Sequence, residues 1–314
     1  MHGALVRRLL ALAFCLVALV LLGLPVLPSG WGTGNDEAQG CLAVGAWVPA
    51  TGPAFPAEEF AAAQDELGPL SVRRSFDAEL PASFAASSAG GDAAAGVRSF
   101  VSWKPPGGDH RGAARGLYDD RIAAWARTVP TTEVFGTAFH EPENDMTAAE
   151  FVAFQRHVYR VVKAANPSIR WGPVYMAHWW DPAEPANYVG DPRAWWPGED
   201  YADFVGLDWY GADPTPMTTS RSFRHWYGFM APTGLPLVIA EYGQAVVRPG
   251  DRPSPAREAA RAEAIRADAR WLAGHPQVVA WLYWHGPGPR GQWRLDDAAS
   301  QAAWREAAAA GCPA

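Results

Sequence analysis

The chain repeats one pattern eight times between residues 42 and 310: a short apolar segment, a turn, and a helical or irregular stretch. The apolar segments are rich in β-branched and aromatic side chains and are almost continuously apolar. Strands that are buried on both faces of a parallel sheet have this composition. The eight predicted strands are Leu42–Val48, Val72–Phe76, Val97–Trp103, Val134–Phe139, Ile169–Tyr175, Phe204–Trp209, Pro236–Ala240 and Val278–Trp284.

Helical patterns lie between several of these strands. In the clearest of them, Thr147 precedes the helix and Glu150 completes a capping box. The Gly-rich stretch 81–96 predicts a poor helix, and the unit after Trp180 is irregular. The predicted helices are Pro56–Leu67, Asp119–Thr128, Ala148–Ala165, Pro255–Ala273 and Ala302–Ala310.

Eight strand–helix units in about 270 residues predict an α/β protein with a single (β/α)8 barrel domain, residues 31–314. A doubly wound open sheet is the rival fold. It usually has fewer strands, and no Gly-rich phosphate-binding turn follows the first predicted strand. The sequence therefore favours the barrel.

Residues 1–30 precede this domain and have the pattern of an export segment. Arg7 and Arg8 form a basic flank, and residues 9–27 are apolar almost without a break. The run is longer than a typical signal core and is close to the length of a bilayer-spanning helix. Both a cleaved signal peptide and a retained membrane anchor fit this pattern. Either one predicts a secreted protein or one held at the outer face of the cytoplasmic membrane.

Two cysteines of the predicted exported part, Cys41 and Cys312, lie at the two ends of the domain. In a closed barrel the first strand and the last helix are neighbours, and a disulfide persists outside the cytoplasm. We therefore expect a Cys41–Cys312 disulfide, with two free thiols as the alternative.

Charge and motifs exclude several classes of function. The net charge is −7 without basic runs, which argues against a nucleic-acid partner. No G-x-S-x-G elbow and no HExxH spacing occur, so neither a serine hydrolase nor a metal site is predicted. We expect a monomer that needs no cofactor. The 16 tryptophans suit sugar binding, because a pyranose stacks on a flat aromatic ring.

Barrel enzymes carry their catalytic groups at the carboxyl ends of the strands. The fourth predicted strand ends at His140-Glu141, and the seventh ends at Glu241. Two glutamates at these ends face each other across a barrel mouth. Such a pair suits a retaining glycosidase, in which one carboxylate is the nucleophile and the other carboxyl group first donates a proton and later accepts one.

Together with Asp208-Trp209-Tyr210 at the end of the sixth strand, these motifs resemble glycoside hydrolase family 26, which includes β-mannanases and some β-glucanases. The resemblance implies that Glu141 is the acid/base and Glu241 the nucleophile. It also implies that His140 contacts the substrate, that Tyr210 bonds the nucleophile, and that Trp284 floors a sugar site. Residues 142–145 depart from the family's mannanases, because they lack an aromatic residue.

Other residues at the predicted rim complete the expected site. Trp103, Trp179 and Trp209 are candidate sugar platforms. An arginine of the second strand could bond the nucleophile; alternation does not decide between Arg73 and Arg74, and we favour Arg74. Asp208 could hold a neighbour or bind a sugar hydroxyl, and Glu143 is expected in a loop.

These features predict a retaining endo-β-glycanase, with β-mannan favoured as substrate and β-glucan next. A non-catalytic barrel that binds polysaccharide at the cell surface is the alternative from another class. Inverting or transglycosylating chemistry on the same scaffold is a third possibility, and a wider carboxyl separation would indicate inversion.

Overall fold

The computed structural model describes residues 41–49, 57–131, 134–184, 190–246, 252–288 and 291–313. The predicted export segment, residues 1–30, lies outside this part of the chain. Within the described ranges, no helix combines the length and the apolar character needed to cross a membrane.

One parallel sheet forms the centre of the molecule, and it contains all eight predicted strands. Seven of them are continuous, and the fifth is split into two short segments. The strands are β1 (Ala43–Trp47), β2 (Val72–Asp77), β3 (Arg98–Trp103), β4 (Val134–Ala138), β5 (Arg170–Trp171), β6 (Val174–Met176), β7 (Val205–Gly211), β8 (Leu237–Gln244) and β9 (Val278–Trp284).

The split fifth strand closes the sheet into a ring. Strand order runs β5-β4-β3-β2-β1-β9-β8-β7-β6, so the sheet begins and ends on one stretch of chain, residues 170–176. The Gly172 N–H donates to the Gly136 carbonyl, whereas the Pro173 carbonyl accepts from the Gly206 N–H. A Cβ at Gly172 would lie 2.2 Å from the Phe204 carbonyl oxygen, so this close approach requires glycine. The (β/α)8 barrel is confirmed.

Helices surround the ring, and α4 begins with the capping box that the sequence predicts. Two short 3-10 turns within residues 81–96 bear out the expectation of a poor helix there. The helices are α1 (Ala57–Leu67), α2 (His110–Ala114), α3 (Asp119–Thr128), α4 (Ala148–Ala165), α5 (Arg221–Met230), α6 (Pro255–Ala273) and α7 (Ala298–Ala310). Two further short strands, β10 (Pro287–Gly288) and β11 (Gly291–Gln292), pair antiparallel.

Helix α5 was not predicted from the sequence. Its buried stripe, Phe223, Trp226 and Met230, has helical spacing, and Ser220 caps its first turn. Bulky aromatic residues and Gly228 lower the helix propensity of this segment, so tertiary packing of the apolar stripe outweighs local preference.

A disulfide joins the first and last segments of the barrel domain's chain. Cys41 and Cys312 form the expected disulfide, with their Cα atoms 5.1 Å apart. The Cys312 N–H also donates to the Leu42 carbonyl at 2.9 Å. The bond therefore ties the start of β1 to the residues that follow α7.

Replacing Cys312 with serine should lower the free energy of unfolding by about 2–5 kcal/mol, because the bond closes a very long loop in the unfolded chain. Chemical denaturation without reductant measures the loss. The wild-type protein with reductant should match the variant, and an unchanged midpoint would contradict the stabilising role. Activity in native buffer should not change, because the bond lies at the end of the domain away from the strand termini that carry the predicted site.

Candidate active site

Three carboxyl groups meet at the carboxyl ends of β4, β7 and β8. We call Glu141, Asp208 and Glu241 the acidic cluster. One oxygen atom from each lies within 4.8 Å of one from each of the others. The structure thus brings together the two glutamates that the sequence singles out, and it adds a third carboxyl group beside them.

A β-bulge turns Glu241 toward the barrel interior. Leu207 pairs with Ile239, but the next residue, Asp208, pairs with Glu241, so Ala240 is an extra residue in β8. The side chain of Ile239 packs in the core between the sheet and the helices. Strict alternation would direct the Glu241 side chain to that same side. The bulge reverses this alternation and places Glu241 at the barrel mouth, only 5% exposed.

Two side chains hold the Glu241 carboxylate. The Tyr210 hydroxyl donates to Oε2 at 2.5 Å, and Nη2 of Arg74 lies 3.5 Å from Oε1. Burial raises the pKa of Glu241, while the Arg74 charge and the Tyr210 hydrogen bond counteract that rise. Burial also raises the pKa of Tyr210 well above its usual value, so the hydroxyl remains a donor.

Arg74 is buried inside the barrel beneath the cluster. Its guanidinium carbon lies 3.9 Å from the centre of the Phe76 ring and 4.5 Å from that of Phe100. Burial lowers the pKa of Arg74 against the opposing effect of Glu241, yet a guanidinium remains charged at neutral pH. Arg73 points away and bonds Asp92, so the structure selects Arg74 as the partner of Glu241.

Glu141 sits on strained backbone. Its φ is +52° and that of Phe139 is +53°, a left-handed conformation that non-glycine residues rarely adopt. The Glu141 N–H donates to the Val174 carbonyl at 2.9 Å, which fixes the turn against β6. Such backbone persists only where its surroundings enforce it, and it often marks a functional site.

His140 precedes Glu141 and is partly buried at the rim, with its ring centre 4.9 Å from that of Phe76. Burial lowers the pKa of His140 well below its usual value, and the nearby positive charges of Arg74 and Lys104 act in the same direction. The imidazole is therefore neutral, and a neutral ring can donate one hydrogen bond and accept another from a hydroxyl group.

Trp284 lies partly exposed beside the cluster. Its ring stacks on Trp47 with centres 3.8 Å apart, while the ring of Tyr210 approaches edge-on at 6.3 Å. A Cβ at Gly286 would lie 2.7 Å from the Trp47 ring, so the stack needs glycine there. Trp47 thus supports Trp284 at the rim.

Two predicted sugar platforms are core residues instead. Trp103 is 1% exposed and packs against Trp125 and Trp171 on the helix side of the sheet. Trp209 is 4% exposed, and its indole N–H donates to the Ser220 hydroxyl. On each strand, side chains alternate between the barrel interior and the helix side, and both tryptophans point to the helix side. The prediction that they contact sugar is therefore wrong.

Trp179 lies in the turn after β6, partly exposed. It lines a cavity of about 850 Å³ together with Trp180 and residues of α5 that include Phe229. In the part of the chain that the structure describes, the residues lining this cavity include no member of the acidic cluster. Contact of Trp179 with substrate stays a prediction.

Asp208 belongs to the site although sequence reasoning left its role open. It is 1% exposed, and neither carboxyl oxygen has a hydrogen-bond partner among the described residues. Burial raises the pKa of Asp208 well above its usual value, and the charge of Glu241 adds to the rise. Asp208 lies two residues before Tyr210 on β7, so both side chains face the same side of the sheet. This spacing is the sequence signal that could have identified Asp208.

Three carboxyl groups at this spacing could surround a cation. Arg74 already places a positive charge against Glu241, however, and a metal ion beside it would be repelled. With Arg74 as counter-charge, the arrangement instead suits one ionised and buried carboxylate facing a second carboxyl group that carries a proton.

Replacing Tyr210 with phenylalanine tests this electrostatic arrangement. The change removes a hydrogen bond that lowers the pKa of Glu241, so that pKa rises further. If Glu241 must be ionised, activity is present above its pKa and is lost as the pH falls through it. The acidic limb of kcat/KM should therefore move to higher pH, with roughly 10- to 100-fold loss at the optimum. Tyr227→Phe on α5 is the control, and an unmoved limb would contradict the assignment.

The sequence matches no protein-family model and no curated protein. Solved structures do resemble the fold. The GH26 domain of an endo-β-mannanase/endo-β-glucanase from Prevotella bryantii aligns with a TM-score of 0.54 at 12% identity, over 85% of this chain and 88% of that one. A Cellulomonas fimi endo-β-1,4-mannanase aligns at 0.55 and 16% identity over 86% and 70%. A GH128 endo-β-1,3-glucanase from Amycolatopsis mediterranei aligns at 0.50 and 16% over 84% and 98%. The chain therefore shares the barrel fold of these enzymes.

Proposed function

We propose that the chain is a retaining, endo-acting glycoside hydrolase that cleaves a β-linked polysaccharide. One observation carries the proposal: Glu141 and Glu241 approach within 4.8 Å, oxygen to oxygen, across the barrel mouth. Retaining enzymes hold their two carboxyl groups about 5–5.5 Å apart, whereas inverting enzymes leave about 6.5–9.5 Å for a water molecule. The short separation supports double displacement.

In the first step Glu241 attacks the anomeric carbon while Glu141 protonates the departing glycosidic oxygen. The glycosidic bond breaks, and an ester forms between the sugar and Glu241. The negative charge beside Glu141 is then gone, so Glu141 can accept a proton from water that attacks the ester. Arg74 and Tyr210 stabilise the Glu241 carboxylate before the attack and after its release.

The proposed substrate is β-mannan first and β-glucan second. His140-Glu141 is the motif that resembles family 26, and two of the structures with this fold are named for action on mannan. Another is named for action on β-1,3-glucan. The exposed part of Trp284, backed by Trp47, offers a flat apolar surface for a pyranose ring.

We propose further that the enzyme works as a monomer outside the cytoplasm, secreted or anchored by residues 9–27. The Cys41–Cys312 disulfide supports export, because such bonds persist in oxidising compartments. Fractionation of cells that produce the tagged full chain would test this; protein found only in the cytoplasm would contradict it.

Reducing-sugar release from β-mannan, β-1,3-glucan, mixed-linkage glucan, β-1,4-galactan and xylan tests the function, with Glu241→Gln measured in parallel. We expect hydrolysis of one polymer by the wild-type protein alone, with internal cleavage visible as a rapid fall in viscosity. Proton NMR of the first product should show the β-anomer. An α-anomer would overturn the retaining mechanism. Binding without hydrolysis of any polymer would favour the non-catalytic polysaccharide-binding barrel.

A further inference from the structure

A second glutamate of the strand-four turn, Glu143, bridges a gap in the sheet at the rim. Strand β4 pairs with β5 only through Phe135 and Gly136, and it ends at Ala138. Beyond that point two hydrogen bonds connect the turn to β6. The Glu141 N–H donates to the Val174 carbonyl at 2.9 Å, and the Met176 N–H donates to Oε1 of Glu143 at 3.0 Å.

In a regular parallel ladder, the residue whose N–H donates to Val174 would also accept from the Met176 N–H, so the Glu141 carbonyl would be the expected acceptor. The main chain itself cannot complete the ladder. Pro142–Asn144 forms a 3-10 turn that carries the backbone away from β6. The side-chain carboxyl group of Glu143 supplies the acceptor that a strand carbonyl would otherwise provide to Met176.

We propose that Glu143 is a positioning residue for Glu141: its carboxyl group substitutes for a strand carbonyl and pins the left-handed turn so that Glu141 stays within the acidic cluster. The inference rests on the proposed function of Glu141 as acid/base. Without the Met176 bond, the turn would lose a hydrogen bond to β6 beside the one to Val174, and the strained conformation of Glu141 could relax.

The environment of Glu143 favours the protonated form of its carboxyl group. Its second oxygen, Oε2, is buried with no hydrogen-bond partner among the described residues. Burial raises the pKa of Glu143 well above its usual value, and the neighbouring charge of Glu141 adds to that rise. Burial thus favours the neutral carboxyl group, and a glutamine amide of the same shape offers Met176 the same carbonyl acceptor.

Three variants of the full chain test the proposal: Glu143→Ala, Glu143→Gln, and Asn144→Ala as a control at an exposed position of the same turn. Each is assayed on the polysaccharide and on a dinitrophenyl glycoside of its oligosaccharide, whose leaving group departs without protonation. Glu143→Ala should lower kcat/KM on the polysaccharide roughly 10- to 100-fold but on the dinitrophenyl glycoside less than about 3-fold. Glu143→Gln should stay within about 3-fold of wild type on both. Equal losses on both substrates would indicate general loosening and overturn the proposal.

Amide hydrogen exchange gives a readout that does not depend on activity. The Met176 and Glu141 amides should be protected in the wild type and in Glu143→Gln, and should exchange at least about 10-fold faster in Glu143→Ala. Unchanged exchange in Glu143→Ala overturns the positioning role whatever the activity. If the wild type cleaves no substrate while exchange behaves as expected, the hydrolase proposal fails and the pinning of Glu141 stands.

Discussion

Glu241→Gln should lower kcat on the polysaccharide by at least about 10⁴-fold, because an amide cannot form the sugar ester through which double displacement proceeds. The substitution keeps the shape of the side chain and a group that can meet Arg74 and Tyr210. Binding should therefore persist, and titration calorimetry with an oligosaccharide should show affinity within about tenfold of wild type.

Chemical rescue identifies the role of Glu241 more sharply than loss of activity does. In Glu241→Ala the space left by the side chain can admit azide, which would attack the anomeric carbon directly. A single displacement inverts the centre, so the product should be the α-glycosyl azide. Glu263→Gln, an exposed glutamate on α6, is the control and should behave as wild type. A β-configured azide product would show that Glu241 is not the nucleophile.

Glu141→Gln should have the second-largest effect, a loss of about 10²- to 10⁴-fold in kcat on the polysaccharide. A dinitrophenyl glycoside needs no proton for its first step, so the ester with Glu241 should form quickly. Its hydrolysis should then be slow, because no base activates the water. Stopped-flow kinetics should show a burst of dinitrophenol, and intact-protein mass spectrometry should detect the glycosylated chain.

Azide gives the opposite stereochemical outcome in this variant. It attacks the ester without needing a base, so the β-glycosyl azide forms with net retention and turnover rises. The two rescue products together assign both roles. A steady rate with no burst would contradict the assignment of Glu141. Glu143→Gln is the control in the same assay and should behave as wild type, which distinguishes the two glutamates of the turn.

The fold was largely predictable because strands buried on both faces are recognisable by composition alone. The split of the fifth strand was not, since it depends on Gly172 approaching Phe204 closely and on Pro173 lacking an N–H donor. Helix α5 was missed because its stability comes from packing of Phe223 and Trp226 rather than from local propensity.

The sequence predicts where along the chain the residues of the candidate site lie, but it does not predict which way their side chains face. Glu141 and Glu241 end their strands, which sequence shows. Trp103 and Trp209 also lie near strand ends, yet they point to the helix side. The inward direction of Glu241 itself depends on the bulge at Ala240, which no alternation pattern reveals. Glu143 was placed in the loop as expected, but its bond to Met176 joins segments 33 residues apart.

The bond between Cys41 and Cys312 has a topological consequence. With a sequence separation of 271 residues, it converts almost the whole barrel into a covalent ring. A protease that cuts once inside this ring opens it but releases no fragment, so the two pieces remain one molecule until the disulfide is reduced. Nicked protein would run as one band on a non-reducing gel and as two after reduction. The same adjacency of ends would allow new termini to be opened in a surface loop while the strand order around the ring is kept.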